Sequence, residues 1–406
     1  MTATTQKTPQ KTPQKTPWGL VTLLGALTAL GPLAIDMYLP SLPTIGAELH
    51  ASAAQTQSTV ATFLAGMAIG QLLYGPASDR FGRKPPILLG LVIYVAASAG
   101  CMLATSAPML IGLRFIQALG ACTGAVVSRA IVRDRFGHTD TARMLSLMVL
   151  IMGLAPVFAP LLGGALLAIG GWRSIFGVMV AFGAALGLAA LLRLEESRSA
   201  ETEAHARSEH PIRAYLSLLS QRRLVGYALA GALNGATLFT YISSSPEVLI
   251  GGYGISPQAF GWVFGVNGVG FVIASQLNRR LLRRWTPDEV LKSASDSAVV
   301  CAVLLTAAAV TGVGERWSVL SLLFLVLASY SLMQANTMAG ALNIDPRRAG
   351  SISALMGAAS FATGAVAAWI AGALHDGTPR PMAAVMLVCL IGSALALRAF
   401  ALPKRA

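Results

Sequence analysis

The 406-residue chain is 55% apolar and only 12% charged, with a mean hydropathy of +0.65 and a formal net charge of +13. Soluble domains carry about 25% charged residues, so the composition excludes a soluble globular protein and leaves a polytopic membrane protein. The basic balance does not indicate a nucleic-acid partner, because the Lys and Arg residues lie in short segments between apolar runs and not on one folded face.

Residues 6–17 read QKTP three times over, and 1–17 are expected to form a disordered cytoplasmic tail, too polar and Pro-rich to bury a core. Apolar runs follow at 18–39, 57–77, 86–105, 108–129, 142–168, 173–193, 223–249, 258–277, 289–311, 317–341, 350–372 and 381–401. A helix needs roughly 20 residues to cross about 30 Å of hydrocarbon, so each run predicts a transmembrane helix. A barrel would show short alternating segments instead. The first run is too long for the apolar part of a signal peptide, and many more follow it. The longest polar interruption divides the chain into an N-terminal six-helix bundle (18–196), a cytoplasmic linker (197–222), a C-terminal six-helix bundle (223–402) and a cytoplasmic C-terminus (403–406). Of the 30 Lys and Arg, Arg114 lies within a span and Arg173, Arg316 and Arg380 lie on one side. All the others fall in or beside the tail, the even-numbered connections and the C-terminus, which predicts that both termini are cytoplasmic.

Span one closes with GPLAIDMYLPSLP (31–43), where Gly25, Thr28, Pro32 and Asp36 stack at helical spacing. A charge in a span is costly, so Asp36 should face the bundle interior and meet a partner or water. If the helix ends near Pro40, Asp36 lies about 6 Å below that end, and Arg114 in span four lies about 9 Å below the same face. An Asp36–Arg114 pair is therefore expected to be within reach. Two roles compete for Asp36: a proton carrier, or a structural group that never titrates, either as a fixed salt-bridge partner or at the outer mouth. The first is favoured because ionisable groups at membrane depth mark functional sites.

Between spans two and three stands GPASDRFGRK (75–84). Gly75 and Gly82 permit close helix approach and a tight turn. Asp79 can hold Arg80 or Arg83, with Lys84 adding to a cluster that latches the bundle ends in one state. Asp134, in VRDRF, is a further partner for Arg83 or Arg80. On span four, Arg114, Gln117, Ala121, Gly124 and Ser128 share one face that must meet protein or water. Span five contains MGLAPVFAPLLGG, whose Gly153, Pro156, Pro160, Gly163 and Gly164 let helices kink and pack closely.

The second half echoes the first. YISSSPEVL ends span seven as DMYLPSLP ends span one, and NRRLLRRW (278–285) stands where DRFGRK stands. Repeated halves around a midplane site are the design of alternating-access transporters. Tyr38, Gln117, Asn234, Tyr241, Tyr330, Gln334 and Asn336 are candidates to line a mostly apolar substrate pocket, and each serves equally as a packing residue. Glu247 is expected at a solvated rim, and Asp296 in a local pair with Lys292. Cys101, Cys122, Cys301 and Cys389 are read as packing residues, and neither a metal site nor a cofactor is expected. There is no GxxxxGK[ST], HExxH or GxSxG, and GVNGVG (265–270) lies inside a span, where it reads as close helix packing; an enzyme is not expected.

GPASDRFGRK resembles the signature loop of the major facilitator superfamily, at the connection where that family carries it. Arg114 and Gln117 match the R-x-x-Q-G motif of its drug/proton antiporters, with Ala118 where many members have Gly. The span-five segment is similar to the antiporter motif of the same group, with Ala159-Pro160 in place of Gly-Pro. With DMYLPSLP and GWVFGVNGVGFVIASQLNRRL (261–281), the chain resembles the Bcr/CflA subgroup of multidrug efflux transporters over roughly 18–400. The resemblance implies an all-α fold of twelve transmembrane helices in two pseudo-symmetric bundles. It also implies export of small drug-like molecules in exchange for protons, and a monomer in the bacterial inner membrane is expected. Export of a metabolite such as an amino acid or sugar on the same fold is the alternative, and a channel is a more distant one.

Overall fold

The computed structural model describes residues 18–136, 138–199, 203, 211–345 and 348–402. The tail 1–17, the C-terminus 403–406 and most of the polar stretch after Ser199 lie outside the described residues. The described chain is helical: α1 (Trp18–Asp36), α2 (Leu42–Glu48), α3 (Ala53–Phe81), α4 (Lys84–Met102), α5 (Ala107–Arg135), α6 (His138–Arg193), α7 (Pro211–Leu219), α8 (Arg222–Pro246), α9 (Pro257–Leu281), α10 (Pro287–Thr311), α11 (Glu315–Leu342), α12 (Ala349–Ala373) and α13 (Arg380–Ala396). Capping boxes open two of them: Ser52 with Gln55 at α3, and Thr286 with Glu289 at α10.

Among the described residues ten stretches are long and apolar enough to cross a membrane. One of them lies within α6, whose 56 residues would span about 84 Å if straight, nearly three hydrocarbon thicknesses. The helix breaks at Gly170–Gly171, with Gly171 at φ 68°, a conformation that favours glycine. It therefore makes two crossings joined by a corner, as the gap between the expected spans 142–168 and 173–193 anticipates. The 25-residue α8 is too polar to stand among the ten, because Asn234, Thr237, Thr240 and Ser243–Ser245 interrupt it. Those residues are buried against protein, so α8 crosses inside the assembly. With the second leg of α6 and with α8, the crossings number twelve.

Span one departs from expectation. The α-helix stops at Asp36, but the chain continues through a 3₁₀ turn at Leu39–Ser41 into α2, reaching Glu48. Pro40 and Pro43 occupy the first turns of these new segments, where a missing N–H costs nothing, so they restart the helix and do not end the span. Asp36 is twelve residues before Glu48, about 18 Å along a helical path. It is therefore deeper than an outer end near Pro40 would place it.

Small residues set the helix spacing. Gly124 of α5 lies against the carbonyl of Leu27 in α1, with no room for a side chain. Between the chain halves, α3 packs along α12 and α6 along α9.

Candidate functional site

Asp36 is 4% exposed and lines a small cavity of about 60 Å³. Pro156 of α6 shares the wall, and the far side is built from Leu238, Tyr241 and Ile242 of α8 and Phe264, Asn267, Gly268 and Phe271 of α9. The wall is almost wholly apolar. Its polar groups are the Asp36 carboxylate and one pair opposite, in which the Asn267 amide donates to the Tyr241 hydroxyl at 2.8 Å. Tyr241 stacks on Phe264, with ring centroids 5.4 Å apart. The N-terminal half thus supplies the carboxylate, and the C-terminal half the phenol, the amide and the rings. Among the described residues no cation lies within ion-pair distance of Asp36. The volume admits water but not a drug-sized ligand, whose pockets run to about 300–1,000 Å³. The halves are closed over the centre. On one face Ser244 donates to Gln57 at 3.2 Å and Thr56 to Glu247 at 3.3 Å, and toward the other Gln71 lies against Gly357 and Arg133 against Gly350.

Arg114 is fully buried and has other company. One terminal nitrogen donates to the carbonyl of Ala34 at 3.0 Å and to the Gln117 side-chain oxygen at 2.7 Å. The guanidinium lies against the rings of Tyr38 and Phe63, 4.5 and 4.2 Å from their centroids. Its Nε and second terminal nitrogen have no hydrogen-bond partner. The expected Asp36–Arg114 ion pair is absent. The depths do match, since Arg114 reaches Ala34, but Asp36 stands two residues on, about 200° round the helix, and faces the other way. Gln117 in turn donates to the Ser98 hydroxyl at 2.7 Å, and the Tyr38 hydroxyl shares a 2.9 Å bond with Thr59. Gln117 and Tyr38 therefore belong to a polar seam within the N-terminal half and not to the cavity wall.

The first leg of α6 brings the two halves together beside this cavity. Gly163 packs against the carbonyl of Met37, the residue after Asp36, leaving no space for a Cβ. A Cβ on Gly164 would sit 3.0 Å from the carbonyl of Pro257 in α9. Gly261 of α9 meets Leu161, while Gly265 and Gly268 meet Val157. GVNGVG is helix packing, as expected. Pro156 and Pro160 lie inside the helix; Gly153 lies outside the residues whose surroundings are described.

In the loop after α3, Gly82 takes φ 95° and turns the chain into α4. Arg83 is buried and collects the acceptors: Asp79, Ser78 at 2.8 Å and Asp134 at 2.7 Å. Arg80 takes neither acid and lies over the Phe81 ring. Lys84 starts α4 and donates to the Leu191 carbonyl at 2.9 Å. Gly75 makes no close approach, since nothing lies within 4 Å of where its Cβ would stand. Sequence inspection did not anticipate Glu196, whose carboxylate accepts the backbone N–H groups of Arg83, Lys84, Ser197 and Arg198. Arg198 returns a bond to the Arg80 carbonyl at 2.6 Å. The end of α6 is thus fastened to both ends of the loop.

The family model described as Major Facilitator Superfamily matches residues 24–368. The chain belongs to the major facilitator superfamily. It is 36% identical over 381 residues to the uncharacterized MFS-type transporter YdgK of Bacillus subtilis, covering 93% of this chain and 94% of that one. It is 31% identical to the bicyclomycin resistance protein homolog of Haemophilus influenzae, over 93% of this chain and 94% of the relative. It is also 31% identical to the multidrug resistance protein MdtL of Escherichia fergusonii, over 91% and 92%. Its fold matches a bacterial homolog of the human lysosomal transporter Spinster, in an inward-facing and unoccupied conformation, with a TM-score of 0.76 at 18% identity over 95% of this chain and 98% of that one. A D-xylose-proton symporter gives a TM-score of 0.75 at 14% identity, over 94% and 97%. The protein is a multi-pass membrane transporter, not an enzyme.

Against this superfamily fold, only one of the seven substrate candidates, Tyr241, lines the central cavity. Asn234 donates to the Tyr330 carbonyl, Tyr330 packs edge-on against Phe271, and Asn336 bonds Asn278 at 2.8 Å. The Gln334 side-chain oxygen is buried without a partner. Glu247 is not simply a solvated rim residue, because it joins α8 to Thr56 of α3. Asp296 pairs with Arg398 of the C-terminal turn and not with Lys292. The cavity residues that sequence inspection missed are Phe264, Asn267 and Phe271, which recur at steps of three and four along α9 and so mark one face.

Proposed function

We propose that this transporter is a proton-driven exporter of small drug-like molecules, working by alternating access. It acts in the bacterial cytoplasmic membrane with both termini on the cytoplasmic side. The observation that carries the reading is the Asp36 carboxylate, buried without an ion-pair partner in a cavity walled by both chain halves. An isolated charge there is strongly disfavoured. A carboxylate enclosed neutral and released charged moves one proton per cycle, and opening the halves on alternate sides supplies the exchange with water. One proton crossing a one-unit pH difference yields about 1.4 kcal/mol, enough for a roughly tenfold substrate gradient.

The aromatic wall of Tyr241, Phe264 and Phe271 suits apolar compounds, and the single carboxylate suits those bearing a cation. The names of the bicyclomycin and multidrug resistance relatives support drugs as the cargo. The distribution of Lys and Arg supports the orientation. The Arg83–Asp134 cluster lies within the N-terminal half, next in sequence to Arg133, which lies against Gly350 of the other half, and this supports a latch at the cytoplasmic ends.

The test is transport by everted vesicles with and without an imposed proton gradient, for the parent and for Asp36→Asn. The expected result is gradient-driven accumulation that the Asn variant loses while still exchanging drug downhill. Uphill accumulation by the variant would remove Asp36 as the coupling group, and gradient-driven counterflow of amino acids or sugars alone would replace drugs with a metabolite.

A further inference from the structure

On the face opposite the GPASDRFGRK loop, four helix ends surround a second, wider pocket of about 560 Å³ that is open to the outside. Its walls are the chain after α8 (Gly252, Tyr253), the end of α10, and the starts of α11 and α13. Two arginines converge there from separate helices: Arg316, the second residue of α11, and Arg380, the first of α13. The sequence puts only three cations on this face, and the third, Arg173, is paired with Glu48 at 2.9 Å. Arg316 and Arg380 have no ion pair among the described residues. Arg380 is oriented by weak bonds to the Ala309 and Val310 carbonyls at 3.4 and 3.3 Å, and Arg316 lies over the Trp317 ring. One carboxylate, Glu315, shares the lining; the nearby Asp376, outside the lining, accepts from Thr378 at 2.9 and 2.6 Å and also feels the charge of Arg380 without forming an ion pair with it. The balance within the pocket is two positive charges against one negative.

The geometry points to a binding site for a phosphate ester, supplied by the headgroup of an anionic phospholipid. Two guanidinium groups in a concave site suit the planar, multidentate recognition of phosphate oxygens. The volume exceeds that of bare phosphate and leaves room for an attached glycerol. Trp317, 66% exposed, stands at the rim as an interfacial aromatic would, with exposed Val313 and Val310 beside it. Below them, exposed Val303 and Leu304 run down α10 and offer an apolar track for an acyl chain. Basic pockets between membrane helices bind anionic headgroups on the cytoplasmic side, and Arg316 and Arg380 place the same chemistry on the opposite face. This inference is independent of Asp36 and of the direction of transport.

The experiment is native mass spectrometry of the detergent-solubilised full chain with phosphatidylglycerol, phosphatidylcholine or glycerol 3-phosphate as separate probes. The proteins are the parent, Arg316→Gln, the Arg316→Gln/Arg380→Gln double variant, and Arg173→Gln as a control on the same face. Expected is phosphatidylglycerol binding at least about tenfold tighter than phosphatidylcholine, weakened in Arg316→Gln, lost in the double variant and kept in Arg173→Gln. Saturable binding of glycerol 3-phosphate with the same dependence on both arginines also supports the site, with a soluble ester as its source. Arg316 is exposed and bonds no backbone group, so its single variant keeps the test valid if the double variant fails to fold. Equal binding of the two lipids with no uptake of glycerol 3-phosphate, or selective binding that survives in Arg316→Gln and in every folded double variant, overturns the proposal.

Discussion

Arg114 holds the carbonyl of Ala34, while Asp36, two residues further on, turns its carboxylate to the other side of the same helix and into the cavity between the halves. The two charges closest to the centre are neighbours in depth but not partners. Arg114 is held by two rings and two oxygens, a geometry that depends on a flat guanidinium. Arg114→Lys keeps the charge and loses that fit. It is expected to destabilise the protein by about 2 kcal/mol. Thermal unfolding in detergent checks this, and an unchanged melting temperature would show that charge alone matters there.

Gly163 and Gly75 offer the same substitution with opposite outcomes. A Cβ at Gly163 strikes the Met37 carbonyl, so Gly163→Ala must push α6 away from the segment bearing Asp36. A cost of about 1–3 kcal/mol and a loss of transport are expected. Gly75→Ala adds a methyl to open space inside α3 and should gain about 0.5–1 kcal/mol. Parallel melting curves and vesicle uptake decide the comparison; equal effects at the two positions would refute the packing argument.

Arg83 has two carboxylates, and they are not equivalent. The Asp134 side chain is 14% exposed and that of Asp79 42%. Water can replace Asp79 far better than Asp134. Asp134→Asn is expected to cost about 2 kcal/mol and Asp79→Asn under about 1 kcal/mol. Chemical or thermal unfolding of the two variants should give that order, and the reverse order counts against Asp134 as the principal partner.

Glu196 gives a pH dependence with a definite sign. Partial burial pushes its pKa up, but the backbone amides of Arg83, Arg198, Lys84 and Ser197 outweigh that and hold it below the ordinary 4.5. A depressed carboxylate stabilises the fold above its unfolded value, and the contribution disappears as pH falls through the folded value. At pH 7, Glu196→Gln should melt below the parent. The difference should shrink once the pH drops under about 4.5 and vanish in stronger acid. Melting curves from pH 7 into acid supply the check; a gap that does not shrink as the pH falls below 4.5 would assign the effect to shape and not to charge.

These residues also mark how far a single chain can be read. The crossings were legible because apolar length is a property of the segment alone, and even the Gly170–Gly171 corner falls where the runs are interrupted. The Arg83–Asp134 pair was legible because both residues lie at helix ends on the same side of the membrane. Asn234, Tyr330, Gln334 and Asn336 were not separable from Tyr241. All are polar or aromatic residues facing protein, and a helix buried on several sides does not declare which side faces the central cavity. Asp36 and Arg114 failed as a pair for a related reason. Depth follows from counting residues, but which face of α1 meets Arg114 and which meets the cavity follows from how the helices pack. Pro40 and Pro43 read in the sequence equally as a restart or an ending.

That break has a consequence for how the two charges communicate. In an unbroken helix the Ala34 carbonyl would be taken by the amide of Tyr38, four residues on. Here the Tyr38 amide has moved to Ile35, at 3.2 Å, and the vacated oxygen is the one Arg114 grips. The guanidinium thereby sits at the negative end of the α1 dipole, which serves as its counter-charge in place of a carboxylate. Rewinding this turn would close Ala34 to Arg114 and swing the chain from Met37 onward, the segment directly after Asp36, about the axis. The arginine is therefore a wedge whose seat exists only while helix one is unwound after Asp36, so the backbone itself, through one shared oxygen, ties its place to the turn that follows the acid.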